Sequence, residues 1–292
     1  MTLSLLRLII PALLLTISVH TQANDTSAPS CGDNCTLVIA SDSGVVKRVN
    51  PERTATAYSP FSTFKIPNSL IALDLGLIED LQQPLSFDKS KYPVQSDWPK
   101  IWHENPIDLR TAFQHSAVPI YRQLATEIGK QSMQRYLDKF HYGNQDISSG
   151  LDNFWLGGSL TISADEQIAF LKSLYHGQLP VKPESLAKLK QVMLVEETPD
   201  YRLYAKTGGG RLDSNKSQGS SKSQDLSKSQ SSDKSQSSGK SLGWYVGYVE
   251  NTKGVFYFAM NIEGNEFWPT MEQRLPIMRA ALVQAGVLPQ SK

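Results

Sequence analysis

The chain is poor in the features that most directly announce a function. It has two cysteines, Cys31 and Cys35, and five histidines in 292 residues. There is no second cysteine pair, and His103, His115, His141 and His176 show no ligand spacing. A metal site is therefore not expected. Net charge is only +1, so no basic face argues for a nucleic-acid partner. After the N-terminus no apolar run approaches the ~18 residues that a membrane helix needs. What remains is an ordinary globular composition, 40% hydrophobic, 20% charged and 9% aromatic. It suits one large domain or two lobes around a sizeable core.

The N-terminus differs from the rest. An apolar stretch from Leu5 to Ile17, with a lone Arg7, is followed by small and polar residues up to Ala23. It reads as a secretory leader over residues 1–23. A membrane anchor is the alternative, and the shortness of the apolar run argues against it. Export implies a periplasmic or secreted protein with no stable membrane insertion once the leader is gone. In that oxidising compartment Cys31 and Cys35 can close a small disulfide loop.

The segment FSTFKIPNSLIALDLGLI carries Phe64, Ile66, Leu70, Ile71, Leu73 and Leu77 at helical spacing and reads as a buried helix. Ser62 and Lys65 stand three apart near its start, where side chains are neighbours at roughly 5–6 Å between Cβ atoms. A serine hydroxyl becomes a useful nucleophile when a base sits beside it. An ordinary lysine is no such base, since a pKa of ~10.4 leaves about one molecule in a thousand neutral near pH 7.4. Apolar burial can lower that value by several units. The spacing by itself is weak, because Ser86–Lys89, Ser185–Lys188, Ser231–Lys234 and Ser237–Lys240 repeat it in polar settings.

Along the rest of the chain, two β-branched runs around Asp42-Ser43-Gly44 predict a hairpin, and residues 80–106, with four prolines, read as irregular connection. Helices are predicted over 108–125, 130–140, 164–175, 183–195 and 271–285, the third opened by a Ser163–Glu166 capping box. Strands are predicted at 202–206, 243–249 and 254–260. The expectation is an α+β fold: an antiparallel sheet from 32–60 and 200–292, flanked by N- and C-terminal helices, with an all-helical lobe over 61–199 inserted. A KSQ-initiated six-residue repeat falls within a low-complexity stretch over 214–241. Leu226 is its one aliphatic residue, so it cannot build a core and should be disordered. Doubling a flexible loop adds only about 0.6 kcal/mol of closure entropy, so passive expansion suffices, with an anionic-surface tether as the functional alternative.

Three short motifs now stand in order: Ser62-Thr63-Phe64-Lys65, Ser116-Ala117-Val118 and Lys206-Thr207-Gly208. A Ser-x-x-Lys, a second serine triplet and a Lys-Thr-Gly together mark penicillin-recognising serine enzymes. With YSPFSTFKIPNSLIALDLG, HSAV, YGN, LDNFWLGGSLTIS and YAKTG, the chain resembles the class D β-lactamases from about residue 32 to 285, the repeat excepted. The resemblance implies a serine hydrolase of β-lactams in the penicillin-recognising fold. In it Ser62 is acylated, and Lys65, modified to N6-carboxylysine, is the general base. Ser116 relays a proton to the leaving nitrogen, and Lys206 keeps positive charge beside it. It also implies that the Trp155 indole holds the carbamate between the apolar walls Val118 and Leu156. Backbone N–H groups of Ser62 and Gly209 form the oxyanion hole, while Thr207, Gly208 and Arg274 meet the substrate. No cofactor is implied beyond carbon dioxide or bicarbonate for Lys65. The expected partners are small β-lactams, with a monomer or a homodimer both open. Gly209-Gly210 stand where relatives often carry a bulkier residue, so substrate range does not carry over. A penicillin-sensing receptor domain or a transpeptidase shares these motifs. Sensors stand behind membrane segments and a signalling part, whereas this chain shows one leader, which favours the hydrolase.

Overall fold

The computed structural model describes residues 29–104, 106–212 and 239–290. The leader at 1–23 and the KSQ repeats up to residue 238 lie outside the described residues. In chain order the elements are β1 (Cys35–Ser41), β2 (Gly44–Val49), α1 (Pro51–Thr54), a 3₁₀ turn (Phe61–Phe64), α2 (Lys65–Asp74) and α3 (Lys100–His103). Then come α4 (Leu109–Gln114), α5 (Val118–Ile128), α6 (Lys130–Phe140), α7 (Ala164–Tyr175) and α8 (Pro183–Met193). The chain closes with β3 (Leu194–Glu197), β4 (Tyr201–Arg211), β5 (Ser241–Asn251), β6 (Gly254–Gly264) and α9 (Phe267–Gln284).

The strands form one six-stranded sheet in the order β2-β1-β6-β5-β4-β3, antiparallel throughout. The expected α+β architecture is thus observed. Because side chains alternate across a strand, the sheet feeds two cores. Leu37, Ile39, Leu203, Ala205, Phe258 and Met260 face α9 through Ile277, Met278, Ala281 and Leu282. Val38, Ala40, Tyr204, Trp244, Val246 and Tyr257 face the helical lobe. Edge strand β2 exposes Val45 and Val46 but carries Lys47 and Arg48 beside them, charges that discourage edge-to-edge pairing. At the start of the sheet Cys31 and Cys35 are joined in a disulfide.

The structure corrects several boundaries. The helical lobe was expected to reach 199, but residues 194–197 form β3 and pair with β4. The helix expected at 183–195 therefore ends at Met193. The low-complexity stretch was expected to reach 241, but Ser241 opens β5, and the Leu212 N–H already donates to the Lys240 carbonyl at 2.7 Å. The helix expected over 108–125 is two helices, α4 and α5, separated at Ser116. The capping box at Ser163–Glu166 is present as expected, with both reciprocal hydrogen bonds made. All ten residues of α2 are buried, so this helix is the axis on which the lobe packs.

Candidate active site

The site grows from the 3₁₀ turn. Phe61 opens it at φ 47°, with its N–H donating to the Trp155 carbonyl at 2.9 Å. Thr63 closes it by donating both N–H, at 3.1 Å, and hydroxyl, at 2.8 Å, to the Pro60 carbonyl. Gln167 on α7 braces Thr63 with a 3.0 Å hydrogen bond from its amide nitrogen. Ser62 is thus held just ahead of α2 rather than within it. The strand β4 comes up against this turn because it has no side chains there. A Cβ on Gly208 would stand 2.8 Å from the Pro60 carbonyl, and one on Gly210 would fall within the Phe61 ring. The strand predicted to end at Lys206 runs on to Arg211 for that reason.

Lys65, the first residue of α2, is fully buried. Its Nζ lies 2.9 Å from the Ser62 Oγ and 4.9 Å from the centroid of the Tyr121 ring. Burial first, and the neighbouring charge of Lys206 second, push its pKa well below the ordinary lysine value. The fold therefore supplies what the spacing alone could not: a buried amine, its pKa pushed well below the ordinary lysine value, against a serine hydroxyl. Around it Phe64 stacks on Trp155 at 5.2 Å and meets Phe154 edge-on at 4.9 Å. The Trp155 indole N–H is buried without a hydrogen-bond partner. Val118 and Leu156 are partly buried against the same core.

Ser116 sits between α4 and α5 at φ 55°. Lys206 Nζ donates to its Oγ at 2.6 Å and to the Thr207 carbonyl at 3.0 Å, and lies 5.5 Å from the Phe113 ring centroid. Burial and then the charge of Arg274 push Lys206 down to about 7. The expected fixed cation is therefore, in the free site, a group poised between charge states at neutral pH. Arg274, on α9, donates Nε–H to the Met271 carbonyl at 2.7 Å and Nη1–H to the Gly208 carbonyl. Burial lowers its pKa to about 10, which leaves it charged. A Cβ on Gly209 would collide with the Met271 sulfur. Met271 and Phe61 thus fill the space beside Gly209 and Gly210, a role that no spacing in the sequence singles out.

The structure holds these residues as three hydrogen-bonded pairs, Ser62 with Lys65, Ser116 with Lys206 and Gly208 with Arg274, and the charge of Lys206 is near enough to act on Lys65. Among the described residues no three His, Cys, Asp or Glu side chains converge as metal ligands.

Comparisons with known proteins place the chain among its relatives. Residues 35–281 match the penicillin binding protein transpeptidase domain family. The chain is 38% identical over 214 residues to β-lactamase OXA-5 of Pseudomonas aeruginosa, covering 73% of this chain and 70% of that one. It is 37% identical over 243 residues to β-lactamase OXA-48 of Klebsiella pneumoniae, covering 82% and 78%. Among solved structures it resembles the class D β-lactamase YbXI from Nostoc, with TM-score 0.72, 30% identity and coverage of 87% and 94%. It also resembles FUS-1 (OXA-85), a class D β-lactamase of Fusobacterium nucleatum subsp. polymorphum, with TM-score 0.71, 29% identity and coverage of 87% and 93%.

Proposed function

This chain belongs to the class D β-lactamases, hydrolases acting on β-lactams, and from that premise we propose that it hydrolyses penicillins and cephalosporins through an acyl-enzyme on Ser62, with carbamylated Lys65 as general base. One observation carries the reading: the Ser62 hydroxyl lies 2.9 Å from a fully buried lysine whose pKa burial pushes well below the ordinary value. Ser62 Oγ attacks the lactam carbonyl and gives its proton to the Lys65 side chain. Backbone N–H groups of Ser62 and Gly209 receive the developing oxyanion, an interaction worth about 2.7–4 kcal/mol per donor. Ser116, hydrogen-bonded to Lys206, passes a proton to the lactam nitrogen as the C–N bond breaks. Arg274 and Thr207 hold the substrate carboxylate. Water, deprotonated from the Lys65 side, then attacks the ester and frees Ser62.

Carbon dioxide bound as a carbamate would give Lys65 a carboxylate, a stronger acceptor toward both the Ser62 hydroxyl and water. The surroundings fit that group. A neutral amine is the form that reacts with carbon dioxide, and the Trp155 N–H, buried with no acceptor, is a donor awaiting one. A negative charge near Lys206 would also raise its pKa above about 7, restoring the cation expected beside Ser116. Export to the periplasm or beyond belongs to the same proposal. It is supported by the leader pattern and by the Cys31–Cys35 disulfide; no described helix is long and apolar enough to cross a membrane.

Hydrolysis of a chromogenic cephalosporin, with and without bicarbonate, tests the proposal. Many turnovers per enzyme, faster with bicarbonate and abolished in Lys65→Ala, are expected. The match to a transpeptidase domain family gives the opposing result a meaning. One stoichiometric burst and a lasting acyl-enzyme by mass spectrometry would identify a penicillin-binding rather than a penicillin-hydrolysing protein.

A further inference from the structure

We infer that Trp102 is a positioning residue for Ser116, acting through its indole N–H on the peptide that sets the direction of the serine hydroxyl. The inference rests on the reading of Ser116 as the proton relay to the leaving nitrogen. Ser116 is a non-glycine residue at φ 55°, a conformation that persists only where its surroundings enforce it. The peptide joining His115 to Ser116 is held on both sides. Its carbonyl accepts from Trp102 Nε1–H at 2.8 Å, and its N–H donates to the Phe113 carbonyl at 3.2 Å. The following peptide is tied as well, with the Ala117 N–H donating to the Ala112 carbonyl at 2.8 Å. The φ and ψ of Ser116 are the rotations between these two peptide planes. Fixing both planes fixes the Cα–Cβ direction, and with it the 2.6 Å approach of Lys206 to the hydroxyl.

Of these ties, the ones from Phe113 and Ala112 belong to α4 itself. Trp102 alone reaches in from outside, from the single turn α3 in the proline-rich connection. Its ring is buried, with 7% of its surface exposed. It is steadied edge-on by Trp98 at 5.7 Å, which in turn meets Phe87 at 6.2 Å. This aromatic ladder gives the connection a task beyond joining α2 to α4. It delivers one donor to the carbonyl that precedes the relay serine.

Trp102→Phe keeps the ring and removes the donor. Single-turnover stopped-flow measurements with a chromogenic cephalosporin should show acylation slowed about 10-fold, the scale of one hydrogen bond, with deacylation within about twofold of the wild type. The decisive readout is a double-mutant cycle. In a Ser116→Ala background, Trp102→Phe should slow acylation no further, because its effect passes through the hydroxyl already removed. If Ser116→Ala slows acylation but Trp102→Phe leaves it unchanged, or slows it by the same factor in both backgrounds, the positioning role is overturned while the reading of Ser116 survives. If Ser116→Ala itself leaves acylation unchanged, that reading fails and takes this inference with it. Benzothienylalanine at position 102, isosteric with tryptophan but lacking the N–H, repeats the test without a packing change should Trp102→Phe fold poorly.

Discussion

Replacing Trp155 with phenylalanine separates two uses of one buried ring. The indole N–H has no partner while Lys65 is bare. A buried donor left unpaired costs about 1–3 kcal/mol, so removing it relieves a penalty even as the smaller ring loses contact with Phe64, now stacked at 5.2 Å. These effects oppose, and the melting temperature of the bicarbonate-free protein should move little. The carbamylated state is different. There, on the proposed reading, the N–H would donate to a carboxylate, and hydrogen bonds to charged groups contribute about 1.5–3 kcal/mol. At about 1.4 kcal/mol per factor of ten, the bicarbonate concentration giving half-maximal activity should rise roughly 10- to 150-fold. The assay is turnover of a chromogenic cephalosporin by degassed enzyme titrated with bicarbonate, beside a thermal melt of the same sample. An unchanged bicarbonate requirement with a lowered melting temperature would refute the reasoning and leave Trp155 a plain core aromatic.

Other consequences follow from the same geometry. Lys206 has a folded pKa of about 7 against 10.5 for an ordinary lysine, and Lys65 is shifted in the same direction. The unfolded chain therefore binds more protons between those values, and stability in bicarbonate-free buffer should rise from pH 7 toward 10, by about 1.4 kcal/mol per unit for one group. Chemical denaturation midpoints that stay flat between pH 7 and 9 would contradict this, and Lys206→Met should reduce the slope. Gly210→Ala places a methyl group in the Phe61 ring; overpacking of this kind costs about 1–3 kcal/mol, so the melting temperature and the acylation rate should fall together. Arg274→Ala should raise KM for substrates bearing the ring carboxylate by about 10-fold or more. It should also move the Lys206 titration upward, since Arg274 is the neighbouring charge that depresses it; a pH–rate profile checks both.

The parts of the site legible in the sequence were those set by spacing along one element or by the three motifs in order. Ser62 and Lys65 meet because residues three apart meet wherever the chain turns helically, even though the turn beneath Ser62 is 3₁₀. The break at Ser116 was not legible. Leu109, Phe113, Val118, Tyr121 and Leu124 keep one apolar rhythm across it, and periodicity carries no sign of a single left-handed residue. The short edge strand β3 was missed because LVEE follows a helical run directly and half of it is exposed. Trp102 was lost among prolines that read as irregular connection, since its importance lies in a carbonyl thirteen residues away. Met271 likewise acquires its place only when α9 is laid against Gly209, a long-range fact that no local pattern holds.

Lys65, buried beside Ser62, is proposed to take up carbon dioxide. Carbon-13 NMR of the enzyme in labelled bicarbonate tests it most directly. One carbamate resonance is expected, absent in Lys65→Ala, whose intensity rises and falls with activity as bicarbonate is added and removed. An enzyme that turns over β-lactams fully while showing no such resonance would contradict it.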